Sequence, residues 1–372
     1  MVLFQLGVVV VCFLEILSSC DIRILISIFF FFFLLGAARF TYLISPLEAI
    51  KARGLQDGAL VQYITNNTIT AQTIATIYPI PEVCLVFLKT YVSEGQDRIS
   101  YDVDANGNAV VSTVAATCNN TIVITHSGGI NTMPWADNDN VTAIISAHFP
   151  GQETGNSIVD VLYGAVNPSG HLPYTIAYNS SDYNTAIANF TGTNDTNGWQ
   201  SNFTEGLLID YRYFDYANIT PRYEFGFGLS YTTFSLSNLT IVPLATNISP
   251  LPAPLVGANP PGGNPDLYTP LISASVTLTN TGAVPGAAVA QLYIAPPQSG
   301  VPSGTPPQAL RGFEKLYLAP GGTTVVSFVA TRRDVSYWDV AAQQWRIPAG
   351  EFGVRVGFSS RDQPVKGTVT LL

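Results

Sequence analysis

Val83-Cys84-Leu85-Val86-Phe87-Leu88 is an unbroken run of apolar residues with the length of one β-strand. A strand without alternating polar residues is expected where both faces of a sheet are covered, as in parallel sheets. Similar runs lie at 60–65, 121–126 and 141–147, and segments with helical spacing separate them. Because strands that alternate with helices are joined by right-handed crossovers, we predict an α/β sandwich with a mostly parallel sheet.

Helices are predicted beside these strands at 46–54, 70–77, 106–117 and 151–163. The first is marked by Ser45-Pro46-Leu47-Glu48, which combines a cap, a proline at the first helical position and a capping-box glutamate. Gly54 is expected to end this helix, since glycine tolerates the left-handed conformation. No strand is predicted ahead of the helix, so we expect the layer to be truncated at its start.

The last third of the chain has a period of two. Apolar residues alternate with polar or small ones over 274–278, 326–330 and 352–358, and turns rich in glycine and proline separate these segments. Several such strands over about 110 residues predict an all-β immunoglobulin-like sandwich. Ahead of it, 165–230 is expected to be an ordered excursion, and 243–270 a Pro/Gly-rich insertion.

Residues 1–38 form a hydrophobic leader with apolar stretches at 2–17 and 24–38. Neither reaches the roughly 20 residues that span a bilayer comfortably. A basic residue before the second stretch and small residues at its end are typical of a signal peptide, so a signal or an anchor is one interpretation. The phenylalanine run at 29–33 equally fits a mis-joined gene model. In either case, we expect residues 1–38 to pack on neither domain.

The composition favours a secreted protein that handles neutral polar ligands. Charged residues make up only 11% of the chain, and 16 lysines and arginines leave a net charge of −9. Nucleic acid is therefore excluded as a partner, and a membrane is expected only if the leader is an uncleaved anchor. Frequent sequons favour the secretory route. The glycosylation candidates are Asn66, Asn119, Asn140, Asn179, Asn189, Asn194, Asn202, Asn218, Asn238 and Asn247.

The cysteines and histidines do not indicate a metal site. With three histidines and no CxxC spacing, neither a metal nor another cofactor is expected. Cys12 and Cys20 lie in the leader. Cys84 falls inside the central apolar run, where a buried free thiol is the expected state, and Cys118 precedes another apolar run.

Long motifs occur along the chain. The central excursion contains Ile209-Asp210-Tyr211-Arg212-Tyr213-Phe214-Asp215 and Pro221-Arg222-Tyr223-Glu224-Phe225-Gly226-Phe227-Gly228. Pro150-Gly151-Gln152-Glu153-Thr154-Gly155 precedes them, and Gln308-Ala309-Leu310-Arg311-Gly312-Phe313 and Ser336-Tyr337-Trp338-Asp339 follow. Over residues 36–372, these motifs resemble the C-terminal part of fungal family 3 β-glucosidases.

The resemblance implies a family 3 C-terminal α/β domain over 39–230 and a fibronectin type III-like domain over 231–372. It also implies hydrolysis of terminal β-D-glucosyl residues in cellulose and β-glucan breakdown, with a β-glucoside or oligosaccharide as the substrate. The family's nucleophilic aspartate lies on an N-terminal β/α barrel, and nothing before residue 39 resembles that barrel. No nucleophile is therefore expected in this chain, and we expect it to be inactive alone.

The acid/base of the family is a glutamate on a loop of the second domain. Ser93-Glu94-Gly95-Gln96-Asp97 matches that loop, which makes Glu94 the catalytic candidate. Its position just past the carboxyl end of the 83–88 strand agrees, because ligand sites gather there in open α/β sheets. Retaining glycosidases need two carboxyl groups about 5 Å apart, one ionised and one protonated. A lone Glu94 would supply only the proton donor.

Other residues that could carry chemistry have structural explanations. Asp97 fits a turn, and Glu153 opens a helix, where capping or a favourable interaction with the helix dipole is expected. His126 follows a strand and is expected to be structural, since Ser127 after it is not part of a nucleophile elbow. Trp135 and Trp199 could stack on sugars, but buried packing is the commoner role.

The remaining aromatic residues are expected in the protein interior. Trp338 and Trp345 flank a predicted hairpin and are expected in the sandwich core. The tyrosines and phenylalanines of 200–235, Tyr211 and Phe225 among them, are expected to be buried where the two domains pack together. A non-catalytic secreted carbohydrate-binding or structural protein with the same two domains is the alternative function.

Overall fold

The structure is a computed structural model that describes residues 8–13, 40–93, 98–187 and 202–372, the first of these by its backbone. The chain forms two compact units. The first extends to Val166 and includes Ile187, and the second comprises 167–186 and 202–372. In the part of the chain that is described, no helix is both long and apolar enough to cross a membrane.

The first unit is an α/β domain with a five-stranded parallel sheet. Its elements are β1 (Val8–Phe13), α1 (Pro46–Asp57), β2 (Leu60–Ile64), α2 (Ala71–Ala75), β3 (Val83–Lys89), α3 (Gly107–Ala115), β4 (Thr121–His126), β5 (Val141–Ser146) and α4 (Thr154–Leu162). The strand order is β2-β1-β3-β4-β5. The apolar residues of β3 are buried in the centre of the sheet, and the predicted fold class is confirmed.

The position of β1 contradicts the expectation that residues 1–38 pack on neither domain. Val8–Phe13 lies between β2 and β3, where Val10 is opposite Gln62 on one side and opposite Cys84 on the other. The segment contains four consecutive valines, and β-branched residues favour the extended backbone of a strand. It supplies the strand ahead of α1 that the sequence analysis did not find.

Helix α1 begins as predicted but ends later. The Ser45 hydroxyl accepts a hydrogen bond from the backbone N–H of Glu48, and the Glu48 carboxylate accepts one from the backbone N–H of Ser45. The helix ends at Gly58, whose φ of 70° is left-handed, and not at Gly54. Gly54 is needed for packing instead, since a Cβ there would lie 2.6 Å from Cγ2 of Val61.

Cys84 forms a disulfide with Cys118, so the expectation of a free thiol is wrong. Cys84 lies at the start of β3 and Cys118 lies just after α3, and their Cα atoms are 6.4 Å apart. Since β4 pairs with β3, Thr121 is opposite Cys84 in the sheet. The residues just before β4 are therefore beside Cys84, a proximity that the sequence separation of 34 residues concealed.

The start of α4 lies close to the chain that precedes α1. The backbone N–H of Gly155 donates to the carbonyl of Ile44, and the N–H of Ile44 donates to the carbonyl of Gln152, both at 2.9 Å. A Cβ on Gly155 would collide with the backbone carbonyl of Ser45. Glycine is therefore required here by a close approach of two backbones.

The second unit is an antiparallel β-sandwich with an added short helix. Its elements are α5 (Tyr211–Tyr216), β6 (Phe234–Pro243), β7 (Pro270–Asn280), β8 (Gly286–Ala295), β9 (Ala309–Leu318), β10 (Thr323–Thr331), β11 (Tyr337–Asp339), β12 (Gln344–Arg346), β13 (Glu351–Gly357) and β14 (Val365–Thr370). One sheet has the order β10-β7-β6 and the other β14-β13-β8-β9. Alternate residues such as Leu278, Val326 and Val354 form the core, as predicted.

Residues 202–231 pack on the face of β8 that carries Tyr293. Tyr211 is buried, and its ring meets that of Tyr293 edge-on with 6.0 Å between centroids. The Tyr211 hydroxyl accepts a hydrogen bond from the backbone N–H of Leu310 at 2.9 Å. The burial of Tyr211 against the sandwich is thus confirmed, whereas Phe203, Tyr216 and Tyr231 are exposed and contradict the expectation for 200–235 as a whole. The domain boundary at residue 230 remains a prediction.

The expectation that Trp338 and Trp345 are core residues is wrong, although the predicted hairpin is present. The two residues are directly opposite each other on β11 and β12, and their ring centroids are 5.8 Å apart. Trp338 is 44% exposed. The hairpin forms a two-stranded sheet by itself, so its side chains are not enclosed between the two larger sheets.

Replacing Gly155 with alanine is expected to destabilise the α/β unit by about 1–3 kcal/mol, because overpacking forces the backbone to shift. Gly129→Ala is the matched control, since no heavy atom lies within 4 Å of the Cβ that this change adds. Thermal and urea-induced unfolding of both variants, followed by circular dichroism, would measure the difference. Equal transition midpoints for the two variants would contradict the tight contact with Ser45.

Candidate functional site

The candidate functional site is the edge of the sheet where β3, β4 and β5 end. Because these strands are parallel neighbours, the segments that follow Lys89, His126 and Ser146 come together at this edge. Open α/β sheets bind their ligands outside the carboxyl ends of the strands. The segment after β3 contains the predicted acid/base.

Glu94 and Asp97 lie within 94–97, outside the described residues. Their roles therefore remain predictions. The structure describes the chain up to Ser93 and again from Arg98. Both of these flanks are held by hydrogen bonds, and on each flank at least one of those bonds goes to the segment that follows β4.

The first flank is fixed immediately after β3. The backbone N–H of Thr90 donates to the carbonyl of His126 at 3.0 Å, which extends the strand pairing by one residue. The Thr90 hydroxyl donates to the Ser127 hydroxyl at 2.7 Å, and both side chains are buried. The N–H of Tyr91 donates to the carboxylate of Asp104 at 2.5 Å. The chain thus enters the candidate loop from a rigid position.

The second flank is fixed by the guanidinium of Arg98. Nη1 donates to the carbonyl of Ile130 at 2.7 Å, and Nη2 donates to Oδ1 of Asn131 at 2.9 Å. Nη2 also lies 3.2 Å from the carbonyl of Asp102. Hydrogen bonds from a charged donor are stronger than those between neutral groups. Arg98 therefore ties the end of the candidate loop to the segment after β4.

Ser127 joins the two flanks and is not arranged as a nucleophile. Its hydroxyl accepts the hydrogen bond from Thr90 and lies 3.0 Å from the carbonyl of Gly129 and 3.2 Å from Oδ1 of Asn131. A hydroxyl carries one proton, and here that proton has two acceptors within reach. The side chain is 2% exposed, so its place is inside the scaffold of the site.

His126 packs at the same edge in a structural position. Its ring stacks on Phe87 with 6.1 Å between centroids, and Nε2 lies 2.9 Å from the hydroxyl of Thr154 at the start of α4. Burial lowers the pKa of His126 to about 4, so the ring is neutral at physiological pH. Among the described residues, Nδ1 has no hydrogen-bond partner.

The rim of the edge includes a tight contact and an exposed aromatic ring. A Cβ on Gly128 would lie 2.6 Å from Cγ2 of Val92 and 3.0 Å from the ring of Phe149. Phe149 is 58% exposed, and His148 before it has a positive φ of 53°. Strained residues of this kind concentrate at functional sites. Gly128, in the segment that follows β4, therefore lies close both to the first flank and to the segment that follows β5.

Three other candidates were weighed from the sequence, and the structure describes two of them. Trp135 is buried, and its indole N–H donates to Oδ1 of Asn108 at 2.9 Å, which confirms a packing role. Trp199 lies outside the described residues. Glu153 makes no capping hydrogen bond. Its carboxylate instead accepts from the hydroxyl of Tyr42 and the amide of Asn156, and these bonds lower the pKa of Glu153.

Sequence reasoning missed Thr90, Arg98 and Asn131. The signal for Arg98 was present, since a cation directly after the Glu94 loop in such a sparsely charged chain needs acceptors nearby. Asn131 carries no local signal, because its role depends on the packing of two loops. Within the described ranges, no cluster of histidine, cysteine, aspartate and glutamate could hold a metal ion.

The two units of the chain match the models of two known domain families. Residues 33–231 match the model of the glycosyl hydrolase family 3 C-terminal domain, and residues 288–360 match the fibronectin type III-like domain. The chain belongs to glycosyl hydrolase family 3. The resemblance drawn from the sequence motifs is thereby confirmed.

The most similar proteins include fungal β-glucosidases. Probable beta-glucosidase G of Aspergillus flavus is 57% identical over 338 residues, which cover 90% of this chain and 41% of that protein. The beta-D-glucoside glucohydrolase of Trichoderma reesei is 37% identical with a TM-score of 0.82, covering 99% of this chain and 52% of that one. Beta-glucosidase 3B of Thermotoga neapolitana, in complex with glucose, is 27% identical with a TM-score of 0.72, covering 90% and 47%. The chain thus spans about two fifths of the length of the curated relative that it matches.

His126 is expected to make the α/β unit less stable in acid. Because the pKa of His126 is about 4 in the folded protein, against an ordinary value of 6.5, the unfolded chain binds a proton more readily between these values. The stability that neutral His126 contributes is therefore complete above pH 6.5 and decreases as the pH falls towards 4. The slope is at most about 1.4 kcal/mol per pH unit.

Urea unfolding of the wild type and of His126→Gln, at about pH 7 and about pH 5, tests this expectation. The variant should lose less stability than the wild type between the two conditions. Burial also lowers the pKa of His171, but that residue is present in both proteins and cancels in the comparison. An identical pH dependence in the two proteins would contradict the role given to His126.

Proposed function

We propose that this chain forms the α/β and fibronectin-like parts of a secreted β-glucosidase that hydrolyses terminal β-D-glucosyl residues of cellulose and β-glucan fragments. The observation that carries the proposal is the 57% identity over 338 residues with the Aspergillus flavus β-glucosidase. The glucose complex of the Thermotoga neapolitana relative supports a glucoside as the substrate class.

We assign the role of general acid and base to Glu94. The support comes from its flanks, since Thr90 and Arg98 tie the chain on both sides of 94–97 to the segment after β4. A loop fixed at both ends restricts where the glutamate can go, and a catalytic carboxyl group must be held in place to act efficiently.

The chemistry proposed for Glu94 is proton transfer at the glycosidic oxygen. As the acid, Glu94 gives its proton to the oxygen of the departing alcohol, and as the base it then takes a proton from the attacking water. A second carboxylate must form the bond to the sugar, and the family resemblance attributes it to an aspartate on a barrel. That negative charge and exclusion of water raise the pKa of such an acid.

Glu94→Gln is expected to lower turnover by about 10²- to 10⁴-fold, the usual contribution of a positioned acid or base. The test uses a chimera in which this chain replaces the matching region of the Aspergillus flavus β-glucosidase. The loss should be large for alkyl glucosides and smaller for dinitrophenyl glucosides in the glycosylation step, because a phenolate of low basicity departs without a proton.

Glu82→Gln is the matched control, since Glu82 is an exposed carboxylate just before the amino end of β3. It should leave the turnover of the chimera unchanged. If Glu94→Gln also left alkyl glucoside turnover unchanged, the acid/base would lie elsewhere. The 372-residue polypeptide assayed alone is expected to show no turnover, because no stretch of its sequence resembles the barrel that carries the nucleophile.

Secretion and glycosylation form part of the same proposal. The buried disulfide between Cys84 and Cys118 suits an oxidising compartment. Seven sequon asparagines have exposed side chains in the structure: Asn66, Asn119, Asn179, Asn202, Asn218, Asn238 and Asn247. Asn189 and Asn194 lie outside the described residues. Asn140 is half-buried, and its Nδ2 donates to the carbonyl of Ala115 at 2.7 Å.

We expect glycans at exposed sequons such as Asn66, Asn218 and Asn247 when the chain is secreted from a fungal host, and none at Asn140. The reason is that a glycan on Nδ2 of Asn140 would disturb a half-buried hydrogen bond. Mass spectrometry of peptides before and after enzymatic deglycosylation measures the occupancy of each site. Full occupancy of Asn140 would contradict the expectation.

A further inference from the structure

The hairpin of β11 and β12 presents two tryptophans on the surface of the second unit. Trp338 and Trp345 are cross-strand partners, and their rings are inclined at 76° to each other. Trp338 is 44% exposed, and Val340 at the turn is 73% exposed. Tryptophan is rarely left this exposed without a partner, because it buries the largest apolar surface of any side chain.

The backbone of the hairpin is held in a fixed shape. The carboxylate of Asp339 accepts hydrogen bonds from the N–H groups of Ala341 and Ala342, both at 3.0 Å, and forms an ion pair with Arg346 at 2.5 Å. The side-chain amide of Gln343 donates to the carbonyl of Val340 at 2.8 Å. A surface that is rigid before binding loses little conformational entropy when a ligand arrives.

Several polar residues belong to the hairpin or lie close to it, and one of them is near a tryptophan ring. The guanidinium of Arg333, on an exposed side chain, lies 5.6 Å from the centroid of the Trp345 ring. Gln344 is exposed, but it pairs with Asp339 across the hairpin and lies on the face opposite the two tryptophans. Arg346 is neutralised by its ion pair with Asp339, and the carboxylate of Asp334 is engaged by the N–H and hydroxyl of Thr331. The surface that carries the tryptophans therefore offers aromatic faces and one guanidinium.

Cross-strand packing explains part of this arrangement. A two-stranded hairpin is marginally stable by itself, and an aromatic pair stabilises it. That role requires the rings to contact each other, but it does not require Trp338 to stay 44% exposed with Arg333 beside the pair. Ligand sites typically combine aromatic side chains with a small number of polar groups.

We propose that this hairpin binds a chain of β-linked glucose units, with a sugar face stacked on the exposed tryptophan ring and hydroxyl groups bonded to Arg333. Sugar rings have apolar faces of C–H groups and a rim of hydroxyls, which match these two kinds of surface. The choice of a glucan rests on the proposed function. The platform would hold a polymeric substrate on the second unit, separately from the loops that follow β3 and β4.

Binding of laminarin and of cereal mixed-linkage β-glucan to the full chain tests the proposal, by tryptophan fluorescence and affinity electrophoresis. We expect saturable binding that Trp338→Ala weakens by about tenfold or more. Tyr317→Ala is the matched control, since Tyr317 is 70% exposed on β9, outside the hairpin. Arg333→Ala leaves the hairpin backbone intact and should also weaken binding, and Trp338→Tyr should restore part of it.

Equal binding by the wild type and Trp338→Ala, or no binding to either glucan, would overturn the proposal. Binding that is restricted to polygalacturonate and is abolished by salt would indicate an anion site. Dimerisation that is lost in Trp338→Ala would indicate a contact between copies of the chain. Either result would contradict the proposal. Thermal unfolding of each variant verifies that the hairpin change has not unfolded the unit. Since no turnover is measured, failure here is distinct from failure of the Glu94 assignment.

Discussion

The parallel pairing of β3 with β1 and β4 is the constraint on which the candidate site depends. Residues 83–88 of β3 are all buried, so the strand cannot shift by one residue without turning its packed side chains to the opposite faces. Since its neighbours run in the same direction, the residues that leave β3 and β4 emerge side by side. The contact between Thr90 and Ser127 follows directly from that register.

A small buried network of polar side chains fixes the two ends of the 94–97 loop on the paired strands. Thr90, Ser127 and Asn131 are each less than 5% exposed, and Arg98 closes the network from the far end of 94–97. Buried polar groups are costly unless they are bonded, so a network in which each side chain has partners favours one arrangement over alternatives. The position of the loop ends is therefore determined by the scaffold. The chemistry proposed for Glu94 would come from the loop itself.

Features with a local cause could be predicted from the sequence, and features that need a distant partner could not. The capping box of α1 involves only Ser45 and Glu48 and was correctly predicted. The end of the same helix was not, because Gly54 is needed for contact with Val61 in another element. The predictions for Cys84 and for Val8–Phe13 were wrong for the same reason, since the structure of each depends on a partner far along the chain. The assignment of Glu94 as the acid/base came from the family resemblance, because the geometry alone does not identify a catalytic residue.

The motifs that identified the family are mostly packing motifs. Tyr211 and Asp215 of the first motif meet Gln308 and Leu310 of a later one, 93 to 99 residues away. The amide of Gln308 makes four hydrogen bonds, donating to Asp215 and to the Ser360 carbonyl and accepting from Arg355 and Gln363. Those are all the bonds that a side-chain amide can make, so replacing Gln308 by another residue would remove four hydrogen bonds that connect these motifs. Family membership therefore follows from residues that assemble the scaffold, whereas the proposed role of Glu94 rests on a short sequence match outside these motifs.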